Sequence, residues 1–424
     1  MAYSKVVIVG GGFGGLTVAK ALKGTKLDVL LIDKKNHHLF QPLLYEVATA
    51  AISPGEIAMP IREILRKSEN TTVIMGDVVS VDKSQKQLTL GNGDKIRYDY
   101  LVLAIGATHS YFGNDQWEQF APGLKTINDA IKIREQVLIS FEKAERLDSI
   151  TEAAKFLNFV VIGGGPTGVE MAGAIAEIAH KTMFKNFRRI KPEKSKIYLI
   201  EAGPRILPVY PERLSLKAQK DLENMGVKVL TGTKVTNVSS EGVYVEGGFY
   251  ESKNIIWAAG NQASPLLKTL DIPLDRQGRA LVEKDLSIAE HPEIFIIGDA
   301  ACFMTEDGKS LPGIAPTAIQ QGKYLAHIIR KNTPKEERPP FKYFDKGYMA
   351  TIGKARAVGV IGKFQMSGFF AWLAWCFIHI VYLIGFRNRL SVMIEWFYCL
   401  ITGQRGVRLI YHSMGKDILK ASDD

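Results

Sequence analysis

Two stretches of the chain share one pattern of apolar and polar positions. The β-branched run at residues 6–9 breaks into Gly10-Gly11-Gly12-Phe13-Gly14-Gly15, a helical pattern continues through Leu22, and the apolar run at 27–32 ends on Asp33. Period-2 runs around a helical period predict a strand–turn–helix–strand unit. The pattern returns at residues 159–162, which run into Gly163-Gly164-Gly165-Pro166-Thr167-Gly168. An extended helix is predicted over 171–189, then a strand at 197–200 ending on Glu201. The glycine runs begin 153 positions apart (10 to 163), about one domain length, which predicts two nucleotide-binding domains.

Further buried strands are expected at 100–105, closing on Gly106, at 254–259, closing on Gly260, and at 292–297, closing on Gly298-Asp299. From residue 334 the chain changes character: 335–340 is polar and proline-containing, and 364–386 carries no Lys, Arg, Asp or Glu. The expected fold class is α/β, two Rossmann-like domains plus a C-terminal helical membrane-anchoring region. The expected boundaries are 1–112 and 266–333 for the first domain in two parts, 113–265 for the second, and 334–424 for the anchoring region.

Composition narrows the function. With 424 residues, 46% hydrophobic and 23% charged, the chain can bury several cores and is not disordered. Its three cysteines, Cys302, Cys376 and Cys399, are too widely spaced for a local pair, which argues against a disulfide scaffold, a cysteine-ligated cluster or a structural zinc site, and no metal is expected. A net charge of +10 asks for an anionic partner. The basic residues carry no nucleic-acid-binding signature, so an anionic lipid surface is expected and nucleic acid is not. With five residues before the first apolar run, no signal peptide is expected, and the bulk of the chain is placed in the cytoplasm.

Gly10, Gly12 and Gly15 fit G-x-G-x-x-G, and Gly163, Gly165 and Gly168 repeat it. In this fingerprint the first glycine makes the tight turn, the second admits a pyrophosphate and the third lets helix and strand pack, with the phosphates at the helix N-terminus. Asp33 and Glu201 stand where a carboxylate accepts hydrogen bonds from a ribose diol. A carboxylate at Glu201 repels a 2′-phosphate and so favours NADH over NADPH; Arg205, nearby, works against that preference. Asp299, at a strand end and ahead of a helix around 317–329, resembles the aspartate that holds the ribityl chain of FAD in two-dinucleotide flavoproteins.

Together with Leu39-Phe40-Gln41-Pro42-Leu43-Leu44-Tyr45-Glu46-Val47-Ala48, residues 349–354 and residues 384–389, these motifs resemble the type II NADH:quinone oxidoreductases, non-proton-pumping NADH dehydrogenases. The resemblance implies FAD in the first domain, NADH as substrate in the second, and reduction of a membrane quinone at the entry to a respiratory chain. It implies cofactor-binding roles for Gly10, Gly12, Gly15, Asp33, Gln41, Gly106, Asp299, Thr317, Ala318, Gly163, Gly165, Gly168, Glu201 and Gly260. It implies catalytic roles for Glu170, matching the family glutamate near nicotinamide and flavin, and for Gln320, in the quinone-side motif. That motif departs from the family at Pro316, which replaces a glutamine. With no cysteine pair to relay them, electrons are expected to leave the flavin directly for a small acceptor. A flavin reductase serving a soluble carrier or oxygen, and a flavin-bearing redox sensor, stand as alternatives.

The uncharged stretch at 364–386 is long enough to cross a bilayer if helical. Its flanks are basic on both sides, with Lys354, Arg356 and Lys363 before and Arg387, Arg389, Arg405 and Arg408 after. That pattern favours monotopic anchoring on the cytoplasmic face of the cell membrane. A single span, and a buried helix or homodimer contact, remain the other readings.

Overall fold

A computed structural model of the chain describes residues 3–410 and divides into two compact units. The first comprises residues 3–39, 58–108 and 261–345. Its six-stranded sheet runs in the order Ser287–Ile288, His291–Ile296, Tyr100–Leu103, Ser4–Val9, Leu27–Asp33, Thr71–Met75, parallel throughout except for the short edge strand. Val6, Val7 and Ile8 are wholly buried, as expected of a central parallel strand covered on both faces. The helices Phe13–Ala21 and Ala315–Lys331 pack against one another through small residues: a Cβ at Gly322 would lie 2.7 Å from the Gly14 carbonyl oxygen.

The second unit comprises residues 40–57, 109–260 and 346–410. Its parallel sheet runs Val227–Leu230, Lys196–Ile200, Asn158–Ile162, Asn254–Trp257. Each unit therefore places its glycine-turn strand between an acid-ended strand and the strand leading to Gly106 or Gly260. The helix Ile127–Arg146 opens on a capping box of Thr126 and Asp129. The C-terminal part is an antiparallel sheet of Tyr348–Thr351, Ala357–Ile361 and Phe364–Gly368, followed by the helices Phe369–Tyr382 and Phe386–Thr402. Gly173 lets this part approach the helix Pro166–Glu177, since a Cβ there would stand 3.1 Å from the Ile352 carbonyl carbon.

Three features differ from the sequence reading. The extended helix expected over 171–189 ends at Glu177 and unwinds through a π-turn at Ile178–Thr182. Residues 334–345 group with the first unit and 346–410 with the second, in place of a separate region from 334; residues 411–424 of that expected region lie outside the described residues. The uncharged stretch is not one helix. Residues 364–368 are a strand, and the helix that follows has 14 residues, about 21 Å against a hydrocarbon core of about 30 Å. Gly368, at φ +80°, precedes it, and Gly385, at φ +93°, precedes the next helix. Among the described residues no helix is long and apolar enough to cross a membrane.

Both terminal helices turn an apolar stripe outward; the first is apolar nearly all round, and the second carries Arg387, Arg389 and Glu395. Phe370, Leu373, Phe377 and Val381 are exposed on the first, and Leu390, Met393, Ile394, Phe397 and Ile401 on the second, at helical spacing. Their opposite faces pack inward through Ala371, Trp375 and Val392.

Candidate functional site

The two glycine turns have the same local geometry. Gly10 and Gly163 sit at φ +102° and +112°, where a Cβ would meet the Ala104 carbonyl oxygen at 2.3 Å and the Ala258 carbonyl carbon at 2.7 Å. Cβ atoms at Gly15 and Gly168 would fall 1.9 Å and 1.8 Å from the carbonyl oxygens of Gly10 and Gly163. At Gly12 and Gly165 a Cβ would meet nothing within 4 Å. These two glycines cap helices that have no side-chain cap, so first-turn N–H groups face an open cradle with a positive helix end. A dinucleotide pyrophosphate fits that arrangement.

The terminal acids hold the turns. Asp33 Oδ2 accepts from the Gly11 N–H at 2.6 Å and Oδ1 from Lys35 N–H at 2.7 Å. Glu201 repeats this, with Oε2 accepting from Gly164 N–H and Oε1 from Gly203 N–H, both at 2.6 Å. Gly106 and Gly260 close their strands at φ +67° and +72°.

The first unit also gathers Asp299, Thr317, Ala318 and Gln320. Asp299 lies in the turn Gly298–Ala300, and a Cβ at Gly313 would press to 3.0 Å from its carboxylate. The helix Ala315–Lys331 starts without a side-chain cap and with Pro316 in its first turn, where proline is comfortable. Thr317 is buried and its Oγ1 has no protein partner. Ala318 is buried beside Gly298. Gln320 donates from Nε2 to Phe344 O and accepts at Oε1 from Phe344 N–H, both at 2.9 Å, so its amide is engaged with backbone at both ends. Gln41 falls in the second unit, exposed, with Nε2 3.4 Å from Lys125 O.

Two groups here escaped the sequence reading. Gln321 is buried, and its Oε1 accepts from Gly298 N–H at 2.7 Å, which orients the turn that carries Asp299. His38 is buried with Nδ1 3.0 Å from Gly11 O and its ring edge-on to Phe13; burial pushes its pKa down. A polar residue at the inward position of an otherwise apolar pattern was the available signal in both cases.

The second unit gathers the carboxyls of Glu46 and Glu177, which are buried, and of Glu170, which is half-buried. Glu170, one turn into the helix Pro166–Glu177, takes a backbone hydrogen bond from Thr351. Burial nevertheless pushes its pKa well above the ordinary carboxyl value, and the charge of Glu46 adds to this. Glu46 accepts from Tyr45 OH at 2.9 Å and from Trp396 Nε1 at 2.7 Å, and burial raises it to about 7. Glu177 accepts from Arg405 Nη2 at 2.8 Å and from Lys354 N–H at 2.5 Å, while Arg405 Nη1 donates to Thr49 O and Oγ1. A cavity of about 60 Å³ opens onto this cluster, walled by Tyr45, Trp372, Trp375, Trp396 and Cys399. Glu46 was visible as a lone acid in Leu-Leu-Tyr-Glu-Val-Ala; its partners, hundreds of positions away, were not. All three cysteines are free.

Comparison with known proteins bears directly on these features. Residues 4–322 match the pyridine nucleotide-disulphide oxidoreductase family, and residues 346–405 match the NDH2 C-terminal domain. The chain is 43% identical to the type II NADH:quinone oxidoreductase Ndh of Mycobacterium tuberculosis, over 95% of this chain and 89% of that protein. It belongs to the type II NADH:quinone oxidoreductase family. A member from Haemophilus influenzae is 30% identical over 84% of this chain and 86% of its own length. Among solved structures, NDH2 of Plasmodium falciparum in complex with RYL-552 superposes with a TM-score of 0.88 at 23% identity, covering 96% of this chain and 99% of that one. The fold is therefore that of NDH2.

Proposed function

We infer that this chain oxidises NADH and reduces a membrane quinone, NADH + H⁺ + Q → NAD⁺ + QH₂, with FAD as its resident cofactor. The observation that carries this reading is the duplicated glycine turn, locked by a strand-terminal acid and opening on an uncapped helix, once in each unit. Bound FAD supplies a two-electron carrier between a hydride donor and a quinone.

The first unit is assigned to FAD and the second to NADH. Gly10, Gly12 and Gly15 admit the FAD pyrophosphate, Asp33 faces its ribose, and Gly106 closes the neighbouring strand. Asp299, held by Gln321 through Gly298, takes the ribityl hydroxyls, and Thr317 Oγ1 and the Ala318 backbone line the uncapped helix end. Gly163, Gly165, Gly168, Glu201 and Gly260 serve NADH in the same way. Glu170, hydrogen-bonded by Thr351 and with its pKa raised above the ordinary carboxyl value by burial and by the charge of Glu46, is assigned the role of a proton-handling group beside the nucleotide site. Gln320 contributes by fastening Phe344, and Gln41 is assigned to cofactor binding from the second unit, where it stands exposed.

The outward apolar stripes of the two terminal helices dock on the cytoplasmic face of the membrane, where a lipid-soluble quinone resides. A second copy of the chain is the other cover for these stripes, and sedimentation in the absence of lipid separates the two.

The deciding experiment is anaerobic. The purified protein is expected to be yellow, to bleach on addition of NADH and more slowly with NADPH, and to regain colour with a short-chain quinone. A colourless polypeptide that takes up no flavin on reconstitution overturns the reading.

A further inference from the structure

One short segment of the chain is densely basic. Residues 181–196 carry Lys181, Lys185, Arg188, Arg189, Lys191, Lys194 and Lys196 against the single acid Glu193, a surplus of six within a net charge of +10 for the whole chain. All seven basic side chains are exposed. The loop has a defined course: Glu145 Oε1 accepts from Arg188 N–H at 2.8 Å, and its Oε2 accepts from Ile190 N–H at 3.0 Å. Arg189 pairs with Asp148. With Glu145 and Asp148 counted against it, the patch still keeps a clear positive excess.

Its position matters as much as its charge. The loop leaves the π-turn Ile178–Thr182, where Thr182 Oγ1 donates to Gly403 O at 3.4 Å. Gly403 is the residue that ends the helix Phe386–Thr402, whose exposed Phe397 and Ile401 belong to the outward apolar stripe. The basic loop therefore starts where the apolar stripe stops. Phe184, 49% exposed with Lys185 Nζ 5.2 Å from its ring centroid, adds an aromatic side chain to the same segment.

We propose that residues 181–196 form a second membrane contact, an electrostatic one that selects anionic phospholipid headgroups, beside the apolar stripe of the terminal helices. This rests on the membrane docking put forward above. Apolar burial sets how strongly the chain partitions onto any bilayer, and the loop sets its preference for a negatively charged one. A basic side chain near an anionic surface contributes about a fivefold gain in partitioning, and the gain fades beyond about 10 Å and with salt. Continuity with an apolar stripe favours lipid over nucleic acid, which offers no hydrocarbon phase.

The test uses the full-length flavin-loaded protein and the variant Lys185→Gln/Lys191→Gln/Lys194→Gln, with thermal unfolding and NADH bleaching as folding controls. Co-sedimentation is measured with vesicles of pure phosphatidylcholine and with vesicles containing phosphatidylglycerol, at low and high salt. The wild type is expected to bind both and to favour the anionic vesicles; the variant is expected to bind phosphatidylcholine as before and to lose roughly a hundredfold on the anionic vesicles at low salt. Equal partitioning of wild type and variant onto anionic vesicles overturns the loop's role and leaves membrane docking intact. Failure of the wild type to bind either vesicle overturns both. Binding to duplex DNA that the variant loses, with vesicle binding unchanged, also overturns the proposal in favour of a nucleic-acid surface.

Discussion

Arg405 Nη2 donates to Glu177 Oε2 across 2.8 Å, and both side chains are almost wholly buried. The pair ties the end of the described C-terminal region to the last residue of the helix that begins at the second glycine turn. The same guanidinium reaches Thr49, and the same carboxylate accepts from Lys354 N–H, so one ion pair fastens three separate parts of the chain within the second unit.

Removing one partner of a buried pair leaves an uncompensated charge and costs about 3–5 kcal/mol. Arg405→Met is therefore expected to lower stability by about that amount in urea unfolding. Arg405→Met/Glu177→Met should recover much of the loss, because neither charge is then stranded. A single variant that unfolds within about 1 kcal/mol of the wild type would remove Arg405 from this role.

The glycine turns separate folding from binding. A Cβ at Gly15 would sit 1.9 Å from the Gly10 carbonyl oxygen, so Gly15→Ala should disrupt the first unit and yield little soluble protein. At Gly12 a Cβ meets no protein atom within 4 Å, so Gly12→Val should fold. Its side chain occupies the space assigned to the pyrophosphate, and flavin retention after gel filtration should fall by at least tenfold. A fully yellow Gly12→Val protein would mean that the pyrophosphate lies elsewhere.

Glu46 sets a pH dependence of stability. Burial is the main reason its pKa rises from 4.5 to about 7; the hydrogen bonds from Trp396 and Tyr45 and the charge of Arg405 oppose the rise, and Glu177 supports it. The folded state then binds more protons than the unfolded chain between roughly pH 4.5 and 7. The stability from this group is complete below the unfolded pKa and is lost as pH rises through 7, about 3 kcal/mol in all. Glu170, raised for the same main reason, contributes with the same sign. Glu46→Gln should flatten, though not abolish, the fall in urea midpoint between pH 5 and 7.5. An unchanged slope would show that Glu46 does not titrate in that window.

What could be read from the sequence was what is encoded locally. Gly10, Gly15, Gly163 and Gly168 stand where backbone conformation or contact forbids a Cβ, so their spacing carries the turn, and Asp33 and Glu201 follow at the next strand end. The course of the uncharged tail was legible only in part. Residues 364–386 carry no charge, which leaves one helix possible by length, yet positive-φ glycines stand before each of the two helices that form, Gly368 before Phe369–Tyr382 and Gly385 before Phe386–Thr402. The break after Glu177 left no such mark, because Ile178–Thr182 unwinds in a π-turn whose residues suit a helix equally well. The cluster of Glu46, Glu177 and Arg405 was out of reach, since its members come from three distant segments and only tertiary packing brings them together.

The outward stripes make the final prediction. Phe377 is 70% exposed and Phe397 is 64% exposed, each on the apolar face of its helix. Neither packs inward, so Phe377→Ser and Phe397→Ser should leave thermal stability and NADH bleaching unchanged. Burying a phenylalanine side chain in an apolar phase contributes about 1.5–3 kcal/mol. Each substitution should therefore lower partitioning onto neutral phosphatidylcholine vesicles by roughly ten- to a hundredfold, and the loss should persist at high salt because no charge is involved. Activity with a short-chain, water-soluble quinone should survive, while activity with a long-chain quinone embedded in vesicles should fall in step with binding. If both variants pelleted with neutral vesicles as the wild type does, the stripes would have to be covered by protein, and the apolar docking face would need to be sought elsewhere on the chain.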